Sequence, residues 1–209
     1  MVPVSIVIIT KNEAEMLAMC IHAARLITDD IVVVDNDSSD GTTEIAYRNG
    51  CRVYHENWDG YGANKNKGVL YARYNWILSI DADEIADFEL IEELHKVNLN
   101  DASMVYDIPF RSYFGEKLIR FGRWGRDHHI RLFNRKLVKW SESPVHETLV
   151  LPKNVVVKKL KGHLHHFSVK DGDEFLSKAY HYAQLSAGKY RLMETKPTLM
   201  KLYVAPLFH

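Results

Sequence analysis

Ile77-Leu78-Ser79-Ile80-Asp81-Ala82-Asp83-Glu84 is the stretch on which the reading of this chain turns. Four residues, three of them large and apolar, read as the end of a buried strand. Two carboxylates follow at positions i and i+2. Side chains alternate along a strand, so these two share a face, with Cα atoms roughly 6.5 Å apart if the strand continues. A buried strand ending in two same-facing carboxylates is costly unless positive charge sits there. A divalent cation that itself holds a diphosphate meets that need. The plainer reading is an acidic surface turn.

The chain has 209 residues, which suits one domain or one domain with a small appendage. Hydrophobic residues make up 46%, enough for a sizeable core. Lys+Arg and Asp+Glu are both 27, and this balance argues against general attraction to nucleic acid. Two cysteines, Cys20 and Cys51, make no disulfide framework in a chain of this length, so a reducing, cytoplasmic setting is expected. Met1-Val2-Pro3-Val4 lacks the basic start of a secretory leader, and its apolar run ends by Ile9. No window approaches ~18 consecutive apolar residues, so no spanning helix is expected. The apolar stretch Leu199–Phe208 reads as a core helix, as the start of a membrane-surface segment, or as a cut edge.

Outward from the acidic pair, strand and helix alternate. Val4–Ile9 is β-branched and almost wholly apolar, as a central parallel strand covered on both faces should be. Residues 13–27 place Met16, Leu17, Cys20, Ile21, Ala24 and Ile27 at helical spacing. Ile31–Val34 is a second buried strand, followed by a helix from near Asp40 to the Asn49-Gly50 stop. Arg52–His55 is a short third strand, and Gly60–Gly68 leads into a helix to about Tyr71. The strand ending at Asp81 comes next, then a helix from about Asp87 to Val97. This pattern predicts an α/β fold: a Rossmann-like, mostly parallel sheet with helices on both faces. Ligands of such sheets sit beyond the carboxyl ends of the strands. The polar clusters at 10–13, 35–40 and 81–84 all fall there.

Rival motifs fail on inspection. The turn after the first strand, Thr10-Lys11-Asn12-Glu13, has no glycine, so the dinucleotide fingerprint is missing. No phosphate-binding G-x-x-x-x-G-K-[ST] loop occurs. Asp35-x-Asp37-x-Ser39 lacks the glycine at position six and the glutamate at position twelve of a calcium loop.

Four blocks, Val4–Glu13, Val34–Thr42, Asn64–Gly68 and Asp81-Ala82-Asp83, occur in order at suitable spacing. Together they resemble the family 2 glycosyltransferases, which have the GT-A nucleotide-sugar fold. The later blocks look like the bacterial enzymes that add a hexose to the lipopolysaccharide core. The resemblance implies a nucleotide-diphospho-sugar donor and Mg²⁺ or Mn²⁺. It implies that Asp35 receives the base or ribose, with Thr10, Asn12 and Glu13 against the same nucleoside. Lys65 stands where the family usually has arginine; it neutralises a diphosphate but cannot make the bidentate fork. Asp81-Ala82-Asp83 matches the family's D-x-D motif, with Asp83 on the metal and Asp81 on the ribose or a metal-bound water. The plainer readings are a turn threonine and a solvated helix lysine.

The clean alternation ends near residue 100, which divides a nucleotide-sugar-binding half, 1–100, from an acceptor and catalytic half, 101–209, within one GT-A domain. Ser103–Phe110 reads as a strand and Tyr113–Ile119 as a turn into another. Arg120–His129 is rich in aromatic and basic groups and suits an anionic or sugar acceptor; the alternative is a core aromatic cluster with solvated arginines. Ile130–Arg135 follows and resembles the family's strand near the acceptor. In Ser143-Pro144-Val145-His146-Glu147-Thr148 the resemblance makes Glu147 the general base, with His146 orienting it or binding substrate. H-E-x-x-H would need histidine at Val150, so no zinc protease is implied. In His163-Leu164-His165-His166, alternation separates His166 from the other two. The resemblance sets His166 near diphosphate and metal, and His163 and His165 are read as structural or exposed. Residues 173–192 form an amphipathic helix.

The expected activity is inverting transfer of a hexose from a nucleotide-diphospho-sugar, with UDP the expected nucleotide, to a glycan or lipopolysaccharide-type acceptor. The expected place is the cytoplasm, with peripheral contact at the inner face of the membrane. Rival readings are a nucleotidyltransferase, which would want a glycine-rich basic loop after the first strand, and a non-catalytic nucleotide-sugar-binding module, which would tolerate loss of Glu147.

Overall fold

The computed structural model describes residues 1–122, 124–141 and 147–192. The expectations for His146 and for the apolar C-terminal stretch lie outside them. The chain forms two units, Met1–Asp171 and a second beginning at Gly172.

In the first unit β1 (Val4–Thr10), α1 (Ala14–Arg25), β2 (Asp30–Asp35), α2 (Thr42–Arg48), β3 (Arg52–His55), α3 (Tyr61–Tyr71) and β4 (Trp76–Asp81) alternate as the sequence predicts. β3, β2, β1 and β4 lie side by side in that order, all parallel. β-branched residues fill β1 and β2, the two strands buried throughout, because both faces are covered. Along β1, Ile6 and Ile8 enter the core on one face, Val7 and Ile9 the core on the other. Ile31 and Val33 of β2 match the first pair, Val32 and Val34 the second. Register sets Thr10 beside Asp35 and Ile9 beside Asp81, so the three polar clusters share one rim.

After β4 come β5 (Glu84–Ala86), α4 (Phe88–Leu94), β6 (Met104–Phe114), β7 (Lys117–Leu118), β8 (His128–Asn134), β9 (Lys139–Trp140), β10 (Leu149–Val150), β11 (Val156–Lys159) and β12 (Leu164–Val169). Antiparallel β8 joins β4 to β6. β6 carries β11 and β12 in parallel, and β12 carries β5. β9 and β10 form a separate two-stranded sheet.

Several elements differ from the sequence reading, among them β9 and β11, which it does not contain. β5 was not foreseen, because three residues are too few for a periodic signal. α4 stops at Leu94 rather than near Val97, and Asp87 caps its start by accepting from the Leu90 N–H at 2.8 Å. β6 runs on from Phe110 to Phe114, since β12 and β7 pair its far half. The described part of the second unit is α5 (Gly172–Leu192), in which Lys178 and Glu174 pair one turn apart at 2.9 Å. No helix among the described residues is long and apolar enough to cross a membrane.

Gly68 lets α3 lie directly on the sheet. A Cβ there would stand 2.4 Å from Val7 Cγ1 and 3.0 Å from Val34 Cγ2. Gly68→Ala is expected to lower stability by roughly 2–3 kcal/mol through overpacking, despite alanine's better helix propensity. Urea unfolding should show a lower midpoint at unchanged slope. A wild-type midpoint would mean that α3 does not approach this closely.

Candidate active site

The loops that follow β1 and β2 are fastened to each other. Asn12 donates its N–H to Ser38 Oγ at 2.9 Å, and its side-chain oxygen accepts from the Ser39 N–H at 2.8 Å. Glu13 donates its N–H to Thr42 Oγ1 at 2.9 Å. Asn12 and Asp37 hold φ of 55° and 64°, a left-handed backbone that asparagine and aspartate tolerate best. Asp40 accepts from the N–H groups of Ala14 and Thr42, so it serves the helix starts. That leaves Asp35 for other work. Its Oδ2 accepts from the Ser38 N–H at 3.1 Å and lies 3.4 Å from His55 Nδ1. Asp35 Oδ1 and Thr10 Oγ1 are buried without a hydrogen-bond partner among the described residues. Buried polar atoms are normally satisfied, and those left over mark strain or a ligand site.

Beyond β4 the chain does not continue as a strand. Ala82-Asp83 is a turn, so strand alternation ends at Asp81. Asp81 meets Lys65 Nζ at 3.2 Å and Arg131 Nη2 at 3.3 Å. Arg131 also binds Glu84 Oε1, and Glu84 Oε2 accepts the Asp81 N–H at 3.0 Å. Lys65, only 2% exposed, lies 2.9 Å from Glu147 Oε1, with its ammonium 4.7 Å from the Trp140 ring centre. The structure therefore brings Lys65, Asp81 and Glu147 together. Asp83 faces His166, Oδ2 to Nε2 3.4 Å. His163 and His165 turn instead to Asp87, and His165 meets the Tyr113 hydroxyl at 2.9 Å.

Two features build this corner. The β6–β8 register jumps from Tyr106↔Leu132 to Asp107↔Ile130, which leaves Arg131 as the extra residue of a bulge. A bulge re-aims a side chain, and here it sends a guanidinium to two carboxylates. Gly62 opens α3 so that the Ser141 carbonyl fits against it; a Cβ would stand 1.9 Å from that oxygen. One turn later, the same helix presents Lys65 to Glu147. The sequence reading missed Arg131 and Glu84 as partners. A lone arginine between Ile130 and Leu132 was the available signal.

Burial pushes the Asp81 carboxyl up, but Lys65 and Arg131 outweigh it and hold it well below the usual carboxylate range. Burial pushes Glu84 up to about 7, with Arg131 opposing and Asp81 adding. Burial lowers His166, but its bond to Asp83 outweighs that and raises it to about 9. Among the described residues no three His, Cys, Asp or Glu side chains form a metal cage. The Asp83–His166 pair nevertheless fits a hard cation of the Mg²⁺ or Mn²⁺ kind. Such ions need only one or two side chains when phosphates and water complete the shell.

A cavity of about 500 Å³ opens over Lys65, Asp81 and Glu147 and extends past His128 and Asp107 to Leu151 and Val157. A parallel half-sheet with its polar rim, joined to a mixed half that walls this cavity, is the GT-A architecture. S. aureus TarS (residues 1–349), crystallised with UDP-GlcNAc, has that fold and matches with a TM-score of 0.59 at 15% identity, over 83% of this chain and 60% of that one. Its complex with UDP matches with a TM-score of 0.58 at 15% identity, over 78% and 59%. The sequence profile of glycosyl transferase family 2 matches residues 5–149. An uncharacterized glycosyltransferase of Rickettsia typhi is 31% identical over 195 residues, 88% of this chain and 66% of that protein. The chain belongs to glycosyl transferase family 2. It spans just under two thirds of the length of that relative.

His166 yields a stability test on metal-free protein. Its folded pKa of about 9 lies above the unfolded value of about 6.5. The stability it contributes is complete below about pH 6.5 and is lost as pH rises through about 9. Unfolding free energy should fall across that window, by at most about 3 kcal/mol. His166→Asn should flatten the fall, and an equally steep fall in that variant would remove His166 as its source.

Proposed function

We propose that this protein is an inverting glycosyltransferase that moves a hexose from a nucleotide-diphospho-sugar, a UDP-sugar, to a glycan of the lipopolysaccharide type. The observation that carries this reading is the pair of unpartnered atoms Thr10 Oγ1 and Asp35 Oδ1 at the rim where Lys65, Asp81 and Glu147 converge. Hydroxyl and carboxylate there suit the hydrogen-bonding edges of a uracil and a ribose. The UDP and UDP-GlcNAc complexes of TarS lend support, since that protein shares the fold.

In this reading residues 1–100 hold the donor, with Asn12 and Glu13 closing over the nucleoside. Residues 101–209 supply the acceptor side and the base. Lys65 offsets diphosphate charge, and Asp81 orients both Lys65 and the ribose. Mg²⁺ or Mn²⁺, held by Asp83, His166 and the diphosphate, would neutralise charge on the departing nucleotide. Glu147 takes the proton from the acceptor hydroxyl as its oxygen attacks C1. The C1–O bond to the diphosphate breaks on the opposite face, so the anomeric configuration inverts. Work on a lipid-linked acceptor would place the protein at the cytoplasmic face of the membrane, in peripheral contact.

The test is UDP release from UDP-hexoses with Mn²⁺ and a glycan acceptor. Glu147→Gln should bind UDP within about twofold of wild type yet lose transfer by at least about 100-fold, as loss of a general base does. Full activity in that variant would remove Glu147 as the base. Absence of UDP-hexose turnover by the wild type would overturn the donor assignment.

A further inference from the structure

Asp107 is an anomaly that the donor site does not use. It sits in the apolar strand Val105-Tyr106-Asp107-Ile108 and is 4% exposed. A carboxylate buried in such a strand is costly unless well partnered. Its side-chain partner is His128, whose Nδ1 lies 3.0 Å from Oδ1 and 2.8 Å from Oδ2. An ionised carboxylate only accepts, so Nδ1 carries the hydrogen and the ring is fixed about that bond. The imidazole itself is half exposed, with no other hydrogen bond among the described residues. The pair is not needed to join β6 to β8, because the strands are already paired through Ile108↔His129 and Pro109↔His128.

Both residues line the cavity that also contains Glu147. Leu149, Leu151 and Val157 supply apolar wall to the same cavity. A sugar ring offers what these surfaces match: hydroxyls for a fixed imidazole and a C–H face for aliphatic side chains. We propose that Asp107 and His128 form the acceptor anchor of this cavity. His128 Nε2 hydrogen-bonds a hydroxyl of the acceptor sugar, and Asp107 is the positioning residue that sets the ring. This rests on the glycosyl-transfer reading above. It names the side chains that select the acceptor, whereas Glu147 only takes its proton.

The probe is core oligosaccharide released from lipopolysaccharide by mild acid, followed by saturation-transfer NMR with UDP and Mg²⁺ present. UDP affinity is measured separately by calorimetry. His128→Ala should weaken oligosaccharide binding by about tenfold or more, the loss of one good hydrogen bond and its fixed geometry. His128→Gln, which keeps a polar group of similar reach, should recover part of the loss. Asp107→Asn should fall between wild type and His128→Ala, since it frees the ring without removing it. UDP affinity should stay within about twofold in all three. Wild-type oligosaccharide binding in His128→Ala would overturn the anchor, as would a parallel loss of UDP affinity. A wild-type protein that binds UDP but not the oligosaccharide would overturn the acceptor class assigned to this cavity. One that binds no UDP would overturn the donor reading instead.

Discussion

Asp81 shares its carboxylate between the Lys65 ammonium and the Arg131 guanidinium. Five elements meet through that contact. Asp81 ends β4, Lys65 comes from α3, Arg131 from β8, Glu84 starts β5, and Glu147 stands just before β10. Burying any one of these charges alone would cost several kcal/mol. Together they number three carboxylates against two cations. Burial and the neighbouring Asp81 push Glu84 up against the pull of Arg131, which eases the excess of negative charge. The lattice holds the parallel half to the mixed half, and four of its members, Lys65, Asp81, Arg131 and Glu147, also line the cavity.

The parallel half was legible because its signal is periodic. β1, β2 and β4 are buried on both faces, so β1 and β2 are β-branched runs and β4 is apolar up to its polar end, Ser79 apart. Each polar break between strand and helix then marks the rim. Thr10, Asp35 and Asp81 could be placed on one edge from that pattern alone. The mixed half carried no such pattern. β5 has three residues, β7, β9 and β10 have two each, and β8 hides a bulge. Elements so short are set by the partners they pair with, which a linear reading does not display.

The carboxylate pair shows where strand logic ran out. A continuing strand would have put Asp81 and Asp83 on one face. The turn at Ala82-Asp83 instead gives Asp81 to two basic side chains and Asp83 to a histidine. The positive charge that the sequence argument required is present, but two side chains of this chain supply it at Asp81. Neither was visible as a partner of Asp81: Lys65 reads as a diphosphate-neutralising or a solvated helix lysine until Gly62 is seen to bring α3 against Ser141, and Arg131 as an ordinary strand residue until the bulge is seen to turn it inward.

β6 divides its eleven residues between two sets of neighbours, β8 and β11 along the first half, β12 and β7 along the second. Its parallel neighbours arrive about fifty residues further along the chain, and closing a loop of that length carries an entropic cost before any contact repays it. Hairpins and βαβ units close over much shorter spans. The nucleotide-side sheet has such a closure too, because β1 meets β4 at Val4↔Trp76 across a still longer stretch of chain, while the strand that bears Asp107 also has β8 close by in sequence. The wall that would meet an acceptor thus shares with the donor side a dependence on slow, long-range collisions for its completion.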